Sequence, residues 1–217
     1  MPVIGTTSVV AEPTALSWLG GLRIDADGSP RAYGPPPLRG LDFLGNAHVD
    51  PHDLSSAWCG VALDKNGKPI VQGSNEPAPG YYVSPTALGD PSFSIYTPRR
   101  YVDSETVPYL SVPPDLLQLG CKLGDLAFAA YGGKLSWAIV ADVGPRRKIG
   151  EGSIALAAAL GIPSSPRSGG VGNGVACVVF LGSGKGWHRD LGEAQQTATG
   201  LLEAWGGAGK LTEIGQH

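Results

Sequence analysis

The sequence predicts a mainly β fold: a small β-barrel forming a single domain, with two or more helices set against it. Three observations carry that expectation. Glycine and proline account for 33 and 19 of the 217 residues, and so many breakers favour short strands joined by loops. Short apolar or alternating runs recur between turn signals. Helical periodicity is confined to two stretches in the second half of the chain. With 42% hydrophobic and 16% charged residues the composition is globular. The length allows one sizeable core and is short for two.

Residues 1–20 carry no clear pattern and are expected to form an N-terminal arm, with the barrel domain at 21–217. "GLRIDADGSPRAYGPPPLRG" (21–40) reads as a short strand, an Asp-rich turn and a Pro-rich loop. "WCGVALDKNGKPIVQ" (58–72) reads as a hairpin, because Asn66-Gly67 supplies the positive-φ turn that hairpins favour. "GYYVSPTAL" (80–88) is a strand closed by Pro85. "TVPYLSVPP" (106–114) alternates between prolines, which predicts an edge or loop-like strand. "GDLAFAAYGGKLSWAIVADVGP" (124–145) is a second hairpin turning at Gly132-Gly133. A helix is expected over 151–161, stopped by Gly161 and Pro163. The unbroken apolar run "GVACVVFLGSG" (174–184) predicts a buried strand. A second helix follows at 190–206, with Asp190 as N-cap, Glu193 three residues on, and an apolar stripe of Leu201, Leu202 and Trp205.

Several classes are excluded. A net charge of −3 leaves no basic footprint for nucleic acid. No apolar run approaches the ~18 residues of a membrane span. The N-terminus lacks the basic and apolar regions of a signal peptide. Cys59, Cys121 and Cys177 have no CxxC spacing; one disulfide or three free thiols both remain open. His48, His52, His188 and His217 show no metal-ligand spacing, so neither metal nor cofactor is expected. The chain is expected to act as a monomer.

The candidate chemistry concentrates in "AIVADVGPRRKIGEGSIALAAALGIP" (138–163). Asp142 ends an apolar strand before a rigid Gly-Pro turn, where desolvation would raise its pKa. Glu151 is read at the head of a helix, whose N–H dipoles would favour its charged form. Two carboxyls with diverging pKa values suit the acid and the base of glycosidic cleavage. A turn former and a capping residue are the plainer readings of the same pair.

Asp25 and Asp27 form an Asp-x-Asp-Gly turn that could meet a cationic amine. An EF-hand is not expected, because its later ligands do not follow. Asp103 and Ser104 could line a subsite or sit in a solvated loop. Tyr81, Tyr82, Tyr101, Tyr109 and Trp137 are stacking platforms or core. Arg146-Arg147-Lys148 pair with nearby carboxylates or face solvent, and "SGGVGNG" (168–174) is a loop and possible cleft wall.

The series strand, Asp, Gly-Pro, loop, acidic-Ser helix start resembles the core element of double-psi β-barrels, such as rare-lipoprotein-A lytic transglycosylases. Family 45 endoglucanases and expansins are more distantly similar. The whole stretch 124–163 more closely resembles glycoside hydrolase family 75, the fungal-type endo-chitosanases. "LRIDADGSPRAYGP" (22–35) and "YVDSETVPYLSVPP" (101–114) resemble two further segments of that family. The resemblance covers roughly residues 21–182. It implies a double-psi-type barrel, a secreted enzyme, and inverting hydrolysis of β-1,4-linked glucosamine polymers. Asp142 and Glu151 become the catalytic carboxylates. Asp25, Asp27, Asp103, Ser104, Tyr109 and Trp137 become candidates for binding a chitosan-like polysaccharide. Ala26 stands where many members carry Cys, so a family disulfide lacks that partner. Peptidoglycan cleavage, and a non-hydrolytic carbohydrate-binding or expansin-like module, are the rival expectations.

Overall fold

Alternation along the strands fixes the architecture, because residues two apart share a face. The computed structural model describes residues 1–187 and 190–214. In chain order the strands are β1 (Val3–Ile4), β2 (Thr7–Glu12), β3 (Ala15–Asp25), β4 (Tyr109–Val112), β5 (Leu126–Tyr131), β6 (Lys134–Val143), β7 (Glu151–Ser153) and β8 (Val171–Phe180). The helices are α1 (Pro114–Gln118), α2 (Ile154–Leu160), α3 (Leu191–Trp205) and α4 (Gly207–Ile214). Six strands close a barrel in the order β3-β7-β4-β6-β5-β8, with β8 pairing back onto β3. The β3–β7 and β4–β6 pairs are parallel and the other barrel pairs antiparallel. β2 lies on β3, and β1 on β2. The fold is mainly β and forms one domain, as the sequence predicts.

One face of each long strand fills the barrel: Leu16, Trp18, Leu22, Leu110, Val140, Cys177 and Val179 are buried in a single cluster. α2 plugs one end of it with Leu156, Ala157 and Leu160. Its N-terminus is capped by Ser153, whose hydroxyl accepts the Leu156 N–H at 3.0 Å. It ends at Gly161 in the left-handed region, φ 70°. The alternate residues on β5, β6 and β8, including Phe128, Ile139 and Val178, pack under Ala194, Ala198, Leu202 and Leu211 of α3 and α4. Glu12 clasps these helices, accepting from Trp205 Nε1 at 2.7 Å and pairing with Lys210 at 2.9 Å. The outer face of β3, β7, β4 and β6 is left to the long irregular segment 26–108. That segment has a small core of its own around Ala32, Tyr33, Ala47 and Val61.

The Gly132-Gly133 hairpin, the 174–184 strand and the Asp190-capped helix form as expected. Other elements differ. Residues 1–20 are not an arm: they form β1, β2 and half of β3, because "ALSWLG" alternates onto the barrel core. The 106–114 strand is not an edge. β4 is paired on both sides, since Pro108 and Pro113 lie outside its paired residues and cost no ladder donor. The 58–72 hairpin and the 80–88 run reach only isolated bridges, such as Leu63↔Pro69 and Val71↔Tyr82. The 151–161 helix begins three residues late, because Glu151–Ser153 pair as a strand between β3 and β4. All three cysteines are free. No helix among the described residues is long and apolar enough to cross a membrane. His188 and His217 lie outside the described residues.

Because α2 is the plug, shortening its central side chain leaves a hole in the barrel. Leu156→Ala is expected to lower the unfolding free energy by about 2–5 kcal/mol, measured by urea denaturation.

Candidate active site

Backbone pairing brings the two carboxylates of 138–163 together. Ser111 on β4 pairs with Asp142 of β6 on one side and with Glu151 of β7 on the other. Directly paired residues share a sheet face, so all three side chains leave β4 and its neighbours on the same side. Two strand spacings of ~4.8 Å separate the Cα atoms of Asp142 and Glu151 by roughly 10 Å. Arg23 of β3 is the next residue in this row, paired with Glu151. Asp25 ends β3 two residues on, on the same face.

The turn after β3 adds Asp27. Its N–H donates to Asp25 Oδ1 at 2.9 Å, the Ser84 hydroxyl donates to its Oδ1 at 3.0 Å, and the Tyr109 hydroxyl donates to its carbonyl at 2.9 Å. Asp142 Oδ1 accepts the Ala87 N–H at 2.7 Å. Carboxylate oxygens of Asp25, Asp27 and Asp142 lie within 4.8 Å of one another. They open, with Glu151, Ser111 and Asp42, onto a cleft of about 720 Å³ between the barrel face and the irregular segment. A second cleft of about 810 Å³ adjoins it, floored by Gly20, Gly21, Gly170 and Gly172; both clefts are lined by Arg23, Lys148, Glu151 and Gly169. Gly144 of the Asp-Val-Gly-Pro turn has a reason to be glycine: a Cβ there would stand 2.5 Å from Glu151 Oε2.

The carboxyls are held in the protonated direction for related reasons. Burial, then the Asp27 and Asp142 charges, push Asp25 well above the usual carboxylate range. Burial and the Asp142 charge push Asp27 up to about 8, against the Ser84 hydrogen bond. Burial raises Asp142, against the N–H groups of Ala87 and Val143. Burial also raises Glu151, but Arg23 and then Lys148 pull it back toward its charged form. The helix-dipole effect expected at Glu151 does not apply, because the residue lies in β7 ahead of the helix; nearby cations do that work instead. Asp42, which accepts from Asn46 and the Phe43 N–H, is raised by burial as well.

The remaining sequence candidates are not brought into the cleft. Ser104 is fully buried; its hydroxyl donates to the Asp25 carbonyl and accepts the Ile154 N–H at 3.0 Å, so it ties β3 to α2. Tyr109 is likewise buried and holds the Asp27 turn; no ring face is free for stacking. Asp103 accepts the Glu105 N–H in a local turn. Trp137 packs against the cluster under α3 and α4. Tyr81 and Tyr101 donate to the carbonyls of Arg39 and Ile95. No aromatic side chain lines either cleft among the described residues. Arg146, Arg147 and Lys148 are exposed, with Lys148 facing the Glu151 charge. Sequence reasoning passed over Ser111, Asp42, Arg23 and Gly144; only the β4 register, invisible in the Pro-bounded run, would have singled out Ser111.

Such crowding suits a cation, either an ammonium group or a metal ion held by Asp25, Asp27 and Asp142. Opposite Arg23 and Lys148, Glu151 is suited to accept a proton. No protein-family model matches this chain, and no curated protein matches it.

Asp27 is protonated more readily folded than unfolded. Its stabilising contribution is full below the unfolded carboxylate pKa of ~3.9 and is lost as pH rises through about 8. The thermal midpoint is therefore expected to fall between pH 4 and 8, and Asp27→Asn to flatten that slope, followed by calorimetry across the range.

Proposed function

We propose that this protein is an endo-acting glycoside hydrolase that cleaves β-1,4 linkages of chitosan with inversion, by a two-carboxylate mechanism. The observation that carries the reading is the placement of Asp142 and Glu151 on either side of Ser111, facing one open cleft. Inverting enzymes need roughly 6.5–9.5 Å between carboxyl groups, room for a water beside the sugar. Two strand spacings put the backbones of the pair roughly 10 Å apart, which leaves room for such a gap between their carboxyls.

The electrostatics divide the roles. Asp142, buried beside Asp25 and Asp27, keeps its proton and donates it to the leaving glycosidic oxygen. Glu151, opposite Arg23 and Lys148, is the base that takes a proton from water as the water oxygen attacks the anomeric carbon. The glycosidic C–O bond breaks as the new one forms, and the configuration inverts. A proton must then return from Glu151 to Asp142 through solvent before the next turnover.

Substrate class follows from the walls. Asp25, Asp27 and Asp42 face the cleft, and ammonium groups of glucosamine would neutralise them. Two adjoining open clefts accommodate a chain running past the carboxylates, as internal cleavage requires. The resemblance of residues 21–182 to family 75 endo-chitosanases points the same way. A base set opposite two cations favours hydrolysis over the non-hydrolytic module.

Reducing-end release is expected from chitosan, and little from chitin, cellulose or peptidoglycan. Asp142→Asn and Glu151→Gln should each lower the rate by about 10²–10⁴, and NMR of the first product should show the α-anomer. Chitosan cleavage that survives both substitutions, or a β-anomeric product, would overturn the assignment.

A further inference from the structure

We infer that Ser111 is a third catalytic residue, which orients the attacking water for Glu151; the inference rests on the hydrolase reading above. Ser111 is 4% exposed. Its hydroxyl leans toward Asp142 and favours that carboxyl's charged form, yet completes no hydrogen bond with any group among the described residues. Buried hydroxyls are nearly always paired, so an orphan on a cleft wall marks a place where a ligand completes the set.

A second observation gives the orphan a direction. A Cβ placed on Gly144 would stand 2.5 Å from Glu151 Oε2 and 3.2 Å from Ser111 Oγ. Base oxygen and orphan hydroxyl thus both lie against Gly144, whose missing side chain lets Glu151 come this close to Ser111. A water in the cleft at the Ser111–Glu151 wall would find two polar partners, the minimum that holds an ordered water. It donates one hydrogen to Glu151 and the other to Ser111 Oγ, so that a lone pair is turned toward the sugar. In the reaction Glu151 takes the first proton, the water oxygen bonds to the anomeric carbon, and Asp142 protonates the leaving oxygen. Ser111 neither gains nor loses a proton; it fixes the water's orientation, and misplacing a reactant by about 1 Å costs on the order of 10²-fold in rate.

The test sets activity against stability. Ser111→Ala is expected to lower kcat on chitosan about 10²-fold with KM little changed, while the melting temperature stays level or rises, because an unpaired buried hydroxyl has been removed. Ser111→Gly, which leaves space for a substitute water, should recover part of the lost kcat relative to the alanine variant. Wild-type kcat in Ser111→Ala would overturn the proposal, as would a loss of activity that parallels a loss of melting temperature in both variants. A wild-type protein that releases no reducing ends from chitosan removes the hydrolase reading, and this role with it; a wild-type protein that cuts chitosan with Ser111→Ala equally active removes this role alone.

Discussion

The double pairing of β4 is the constraint on which the cleft depends. The strand is short, Tyr109–Val112, and is buried throughout. Both of its edges are hydrogen-bonded, to β6 in parallel and to β7 antiparallel. Those ladders set the separation of Asp142 and Glu151 through backbone geometry, which varies far less than side-chain rotamers do. Serines reinforce the arrangement. The Ser153 hydroxyl accepts both the Tyr109 and the Leu156 N–H, joining β4 to α2. Ser104 joins the end of β3 to the same helix. The plug of the barrel and the frame of the cleft are therefore one structure, and loosening α2 would disturb the carboxylates without touching them.

The carboxyls differ in what surrounds them rather than in depth alone. Asp142 has acids as neighbours on the β3 side, and Glu151 has Arg23 and Lys148. Burial raises both; the N–H groups of Ala87 and Val143 pull Asp142 back, and the charges of Arg23 and Lys148 pull Glu151 back. This is the general way in which one cleft obtains an acid and a base from two similar groups. The sequence already hints at it: the basic run 146–148 lies between the two carboxylates in the chain, and its last member ends up facing Glu151.

Much of the barrel could be read from the sequence because local signals and tertiary structure agree there. The Gly-Gly hairpin, the apolar β8 and the Asp190 cap are each specified within a dozen residues. What was missed depends on partners far away in the chain. Residues 1–20 look weak alone and become strand once β8 lies beside them. "TVPYLSVPP" looks like an edge because prolines bound it, and it becomes central because β6 and β7 arrive on its two sides. Site residues divide in the same way. Asp25, Asp27, Asp142 and Glu151 advertise themselves by type and by turn context. Ser111 is an ordinary serine until register places it between two acids. Conversely, Tyr109 and Trp137 have the right chemistry for sugar stacking and are drawn into packing, since a large ring beside an apolar strand is most stable when covered.

The crowding of Asp25, Asp27 and Asp142 makes the cleft a store of hydrogen ions, for three acids so close do not all ionise at once. A polycation entering the cleft would expel some of them, so docking trades protons for ammonium groups. On the hydrolase reading affinity would grow with pH only while the amines stay charged, and turnover would still demand one retained proton on Asp142. Under the proposed hydrolase reading, capture and cutting would be tuned in opposite directions by the same three side chains.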